Sequence, residues 1–143
     1  GRLPFTPNGR TASNRAADHY GRGARDNPED FDTGERCLTD GLPLPFHTGY
    51  NNNVLIVQTP QYVGIQAEMF HDFRLIPLDG RPRVAAQWLG ESRGHWEGDT
   101  LGVETRNFLD RGSYWWATSW RGARSTLAVV ERFTRIDAET MDY

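Results

Sequence analysis

Three groups of side chains in this sequence are of types that could do chemistry together. The first is Glu68, His71, Asp72 and Arg74. An imidazole near carboxylates can keep its proton affinity close to neutrality, and a nearby guanidinium can stabilise developing negative charge. In that arrangement Glu68 and His71 move protons and Arg74 holds an anion. The competing reading is a polar corner in which Asp72 pairs with Arg74, since structural ion pairs use the same residue types. Convergence of Glu68 with His71 requires a bend between them.

The second group is His95, Glu97 and Glu104, two carboxylates and an imidazole on one face of a hairpin, an oxygen-rich ligand set for a metal. The spacing is unspecific, and a solvated hairpin face with ordinary cross-strand pairs is the preferred reading, so no metal and no cofactor is assigned. Cys37 is the single cysteine, which leaves no internal disulfide and no cysteine-based zinc site. Ser92 lacks a nucleophile-elbow motif and an evident base, and is read as structural. Glu91, Arg93, Glu131 and Arg132 are expected to pair and hold strands in register. Asp79-Gly80-Arg81 is a turn before it is an anion site, and His19 and His47 have no positioned partner.

The third group is the segment carrying Arg111, Tyr114, Trp115, Trp116, Trp120 and Arg121. Aromatic and arginine side chains concentrate binding energy at protein contacts, so these residues are the candidate partner-binding surface. Stacking on a carbohydrate, or a lid folded over its own core, would use the same side chains.

These groups need elements to position them. Residues 1–49 have no sustained hydrophobic period and are rich in Gly, Pro, Asn, Asp and Arg, which predicts a long irregular arm with room for one short helix at Thr11–Tyr20. Residues 50–143 read as an antiparallel β domain. Asn53–Gln58, Tyr62–Phe70 and Phe73–Leu78 form a meander, and Leu78-Asp79-Gly80-Arg81-Pro82 turns the chain away from it. A tight turn at Gly98-Asp99 sets Glu97 opposite Thr100, Trp96 opposite Leu101 and His95 opposite Gly102. Alternation then buries Trp96, Leu101 and Val103 and leaves His95, Glu97, Thr100 and Glu104 on the other face. A last long strand is expected at Thr126–Ile136, with Asp137–Thr140 turning into a partner at Met141. The fold class is therefore mainly β, an antiparallel meander forming a partly open barrel or a twisted sheet.

Composition narrows the function. The chain of 143 residues has 16 basic against 19 acidic side chains, a formal net charge of −3. No concentrated positive charge is available to displace counterions from phosphates, which argues against nucleic-acid binding. Every basic residue is arginine, which excludes a lysine Schiff base within this chain. The longest apolar run, Val54-Leu55-Ile56-Val57, is far below the roughly 20 residues of a membrane span. The sequence starts at Gly1 and stops in what reads as a rising strand, as the visible part of something longer would.

Four segments in order, Val57-Gln58-Thr59-Pro60, Arg74-Leu75-Ile76-Pro77-Leu78-Asp79-Gly80-Arg81-Pro82, Trp88 through Leu101, and Val129-Val130-Glu131-Arg132-Phe133-Thr134, carry a resemblance. Over Leu38–Tyr143 the chain resembles a large uncharacterised family of secreted or periplasmic bacterial proteins. The resemblance implies a β-rich fold and a periplasmic or extracellular address, and it supplies no catalytic residues. The leading expectation is a non-catalytic module that docks onto other protein chains through its arm and its aromatic/arginine segment. The competing expectation is a small β-barrel lyase, isomerase or hydrolase using Glu68, His71 and Arg74 on a sugar or aromatic substrate.

Overall fold

The computed structural model describes residues 26–28, 31, 33–39, 41–42, 52–109 and 125–143. The helix expected at Thr11–Tyr20, His19, His47 and the candidate partner surface of Arg111, Tyr114, Trp115, Trp116, Trp120 and Arg121 lie outside the described residues. Among the described residues seven strands form two antiparallel sheets: β1 (Val54–Gln58), β2 (Tyr62–Ala67), β3 (Phe73–Pro77), β4 (Glu91–Glu97), β5 (Thr100–Arg106), β6 (Val129–Arg135) and β7 (Met141–Asp142). The first sheet has the order β1-β2-β3 and the second β4-β5-β6-β7. Within each sheet every strand thus pairs with its neighbour in sequence, and the two sheets are not closed into a barrel.

Alternation decides which side chains meet. Val63, Ile65 and Ala67 of β2 and Ile76 of β3 point inward from the first sheet. Leu101 and Val103 of β5 and Phe133 of β6 point inward from the second, and all belong to one buried cluster with Leu42 and Phe108. Gly94 of β4 packs directly against Ile76 of β3 and Leu78. A Cβ there would stand 2.8 Å from both Ile76 Cγ2 and Leu78 Cδ2, so only a missing side chain lets β3 and β4 approach.

The hairpin forms in the expected register, with Glu97 opposite Thr100, Trp96 opposite Leu101 and His95 opposite Gly102. Gly98 takes φ +60°, which suits glycine. Trp96 departs from expectation: it is 46% exposed, because it sits at the mouth between the sheets while Leu101 and Val103 lie deeper. The second strand ends at Ala67 rather than Phe70. Phe70 and His71 both take φ +55°, inside a short 3₁₀ turn over Met69–His71 that reverses the chain into β3.

From the first third of the chain, Thr33, Thr39 and Leu42 are buried. Thr39 Oγ1 donates to Asp72 Oδ2 at 2.7 Å, which ties this segment to the corner before β3.

Candidate functional site

A cleft of about 1070 Å³ runs along β3, the 78–90 connection and the start of β4, and its lining includes His71, Asp72, Arg74, Arg81, Glu91 and Arg93. His71 and Arg74 therefore share a cleft wall, while Glu68 is absent from the lining. The Glu68 carboxylate instead accepts from Asn53 Nδ2 at 2.7 Å. The expected Asp72–Arg74 pair does not form. Arg74 occupies an inward position opposite Ile65, and its Nη1 donates across the interior to Glu131 Oε2 at 2.6 Å. Arg74 Nε and Nη2 are buried without a hydrogen-bond partner.

Most polar groups of the cleft are engaged in holding its walls. Glu91 accepts from the Val84 N–H at 2.8 Å and from Asn107 Nδ2 at 3.0 Å. Burial pushes the Glu91 carboxyl up, but these hydrogen bonds, with the charge of Arg93, outweigh it and hold the group below the usual range. Arg93 donates to the carbonyls of Arg81, Pro82 and Ser92, each at 2.7 Å. Arg81 donates to Asp79 and to Tyr62 Oη, and its hydrogen bonds lower the Asp79 carboxyl to about 2. This network fixes the connection against the strands. His71 lines the same cleft from an exposed position on its left-handed turn.

The hairpin's charged face is a set of ion pairs. His95 Nε2 lies 2.7 Å from Glu97 Oε1, and Arg132 Nη2 donates to Glu97 Oε2. Arg132 first and His95 second lower the Glu97 carboxyl to about 2. Glu104 is held by Arg106 and Arg83. No cluster of three or more His, Cys, Asp or Glu able to hold a metal occurs among the described residues. Of the four side chains expected to hold strands in register, Glu91 and Arg93 approach at 3.7 Å, Glu131 takes Arg74 and Arg132 takes Glu97. Ser92 Oγ meets Thr105 Oγ1 at 2.8 Å in the interior, a structural role.

The feature that sequence reading missed is the outer face of the first sheet. Leu55 and Val57 of β1 and Phe73 and Leu75 of β3 are 60%, 52%, 57% and 53% exposed, and the Phe73 ring lies over Gly64 between them. The signal was present in the sequence: β1 is apolar at every position from Val54 to Val57, and a strand apolar on both faces is covered on both. Comparison with protein-family models, curated proteins and solved structures gives no match for this chain.

Proposed function

We propose that this chain is a non-catalytic module of a secreted or periplasmic protein assembly, docking onto another protein chain through the outer face of β1-β2-β3. The observation that carries this reading is the contrast between the two outer faces. The second sheet's face is laced with the pairs His95–Glu97–Arg132 and Arg83–Glu104–Arg106, as a solvated surface is. Among the described residues, the first sheet's face presents Leu55, Val57, Phe73 and Leu75, with charge only at one end, where Arg81 lies over the Tyr62 ring. Contiguous exposed apolar surface of that kind marks a contact.

The strand β1 adds to the case. It is an edge strand in the described sheet order, and Val54-Leu55-Ile56-Val57-Gln58 contains no charge and no proline. Natural sheets usually protect a free edge with such residues, and an unprotected one is a template for strand addition. The N-terminal arm and the segment from Arg111 to Arg121 supply further contact in this reading. The secreted or periplasmic address follows from the resemblance of the sequence motifs.

The enzyme alternative has less support. His71 and Arg74 share a cleft, but Arg74 is committed to Glu131 and Glu68 is turned to Asn53.

A photo-crosslinking amino acid placed at position 57 or 73, in the bacterium that makes the protein, is expected to give one discrete adduct from each. The same group at position 95 is expected to give none. No adduct from 57 and 73, or an equal pattern from all three, overturns the reading.

A further inference from the structure

Between β1 and the β6–β7 turn, residues of both sheets line a second cavity of about 370 Å³. This is near the lower end of the roughly 300–1,000 Å³ of small-molecule sites. Its floor is Val63, Ile65, Leu101 and Phe133, all buried members of the core. Its walls include Ile56, Trp96 and Met141, which remain substantially exposed although core positions lie directly behind them. The Trp96 displacement from the interior is thus explained by position: its indole borders an open apolar recess.

The rim has a definite charge. Among the described residues, Asp99, Asp137 and Glu139 line the cavity against a single cation, Arg135. Arg135 is already occupied, with Nε donating to the Asp137 carbonyl at 2.8 Å and Nη2 to that of Ala138 at 3.4 Å. Asp137 accepts from the Glu139 N–H at 2.8 Å. No salt bridge engages the carboxylates of Asp99 or Glu139 among the described residues. A guest therefore meets an apolar pit bordered by a half-exposed indole and, at the entrance, three carboxylates against one guanidinium.

We propose that this recess binds a small amphiphilic cation, an alkyl or aryl ammonium whose apolar body lies on Ile65 and Phe133. Its charged head remains at the rim, near Asp99, Glu139 and the Trp96 ring. Burial of the body drives entry, while the carboxylates and the cation–π attraction of the indole select the head group. A carboxylate of equal length is rejected by the same rim. This site is separate from the docking face, since Ile56 points to the interior and Leu55 and Val57 point away from it.

The test uses octylammonium, octanol and octanoate below their aggregation concentrations, with binding followed by calorimetry and tryptophan fluorescence. Octylammonium is expected to bind saturably with one site per chain, and octanol and octanoate each more weakly by up to about fivefold, the size of a rim charge contact. Asp99 and Glu139 are both exposed, so Asp99→Asn with Glu139→Gln leaves the core untouched. That variant is expected to bring octylammonium down to the affinity of octanol, with an unchanged circular dichroism spectrum. Absence of saturable octylammonium binding, equal affinity for the three probes, or an undiminished preference in the variant overturns the proposal.

Discussion

Arg74 of β3 and Glu131 of β6 are joined across the interior, with Nη1 donating to Oε2 at 2.6 Å and both side chains almost wholly buried. Tyr143 Oη donates to the other carboxylate oxygen at 2.9 Å, and its ring packs on Phe133 at 4.9 Å. One carboxylate thus connects the last strand of the first sheet to the third of the second and to the residue after β7. Removing one partner leaves a buried charge without compensation, which costs about 3–5 kcal/mol, whereas replacing both by apolar side chains of similar volume is often neutral or better. Glu131→Gln and Arg74→Met are each expected to lower unfolding stability by that amount in urea titrations. The double variant Arg74→Met with Glu131→Leu is expected to recover most of the loss. Tyr143→Phe is expected to cost about 1 kcal/mol, the usual net worth of a hydrogen bond.

The Ser92–Thr105 contact makes the same argument for neutral groups. The two hydroxyls are buried and bonded to each other at 2.8 Å. Ser92→Ala strands the Thr105 hydroxyl and is expected to cost about 1–3 kcal/mol, while Ser92→Ala with Thr105→Val removes both polar groups and approaches neutrality. A double-mutant cycle in chemical denaturation checks this, and additive losses would show that the hydroxyls act separately.

Acid sensitivity follows from the exposed pairs. The Glu97 carboxyl is lowered from 4.5 to about 2, chiefly by Arg132, and that of Asp79 from 3.8 to about 2, chiefly by Arg81. A carboxylate whose affinity for protons is depressed by folding stabilises the fold above its unfolded value and loses that contribution as pH falls toward the folded value. Stability is therefore expected to decline between pH 4.5 and 2 for Glu97. Glu97→Gln should flatten that part of the stability–pH curve. Because both groups are exposed, the difference is small and should shrink further in about 1 M salt, where screening acts within about 3 Å.

The hairpin was legible in the sequence because everything that fixes it is local. Gly98-Asp99 gives the turn, and alternation from His95 to Val103 assigns the faces once the turn is placed. The turn at Asp79-Gly80-Arg81 was legible for the same reason. Arg74 was not. Its strand reads Phe73-Arg74-Leu75-Ile76, and local pattern favours the interior for Phe73 and Leu75. The opposite parity wins because Arg74 and Ile76 lie beside Ile65 and Val63, and because Glu131, 57 residues on, receives the charge. Pairing at that separation leaves no periodic trace. Trp96 was misplaced for a related reason: alternation assigns a face but says nothing of how far along the sheet the core extends.

Glycines at the two hairpin-like corners separate backbone strain from crowding. Gly98 has φ +60° and nothing within 4 Å of a built Cβ, so Gly98→Ala meets strain alone. The cost of the left-handed region for a residue with a Cβ is about 1–2 kcal/mol. Gly90 has φ +67°, and its Cβ would also stand 2.7 Å from the Arg106 carbonyl oxygen and 2.8 Å from Thr105 Cγ2. Backbone cannot rotate out of the way as a side-chain tip can, so overpacking of about 1–3 kcal/mol adds to the strain. Gly90→Ala is therefore expected to be the more damaging by a clear margin in thermal melts. The loss also reaches the cleft, because Gly90 precedes Glu91, whose carboxylate fixes Val84 and Asn107. Amide exchange at Val84 should consequently rise in Gly90→Ala and stay unchanged in Gly98→Ala. Equal melting shifts for the two variants would mean that the crowding at Gly90 is relieved without cost.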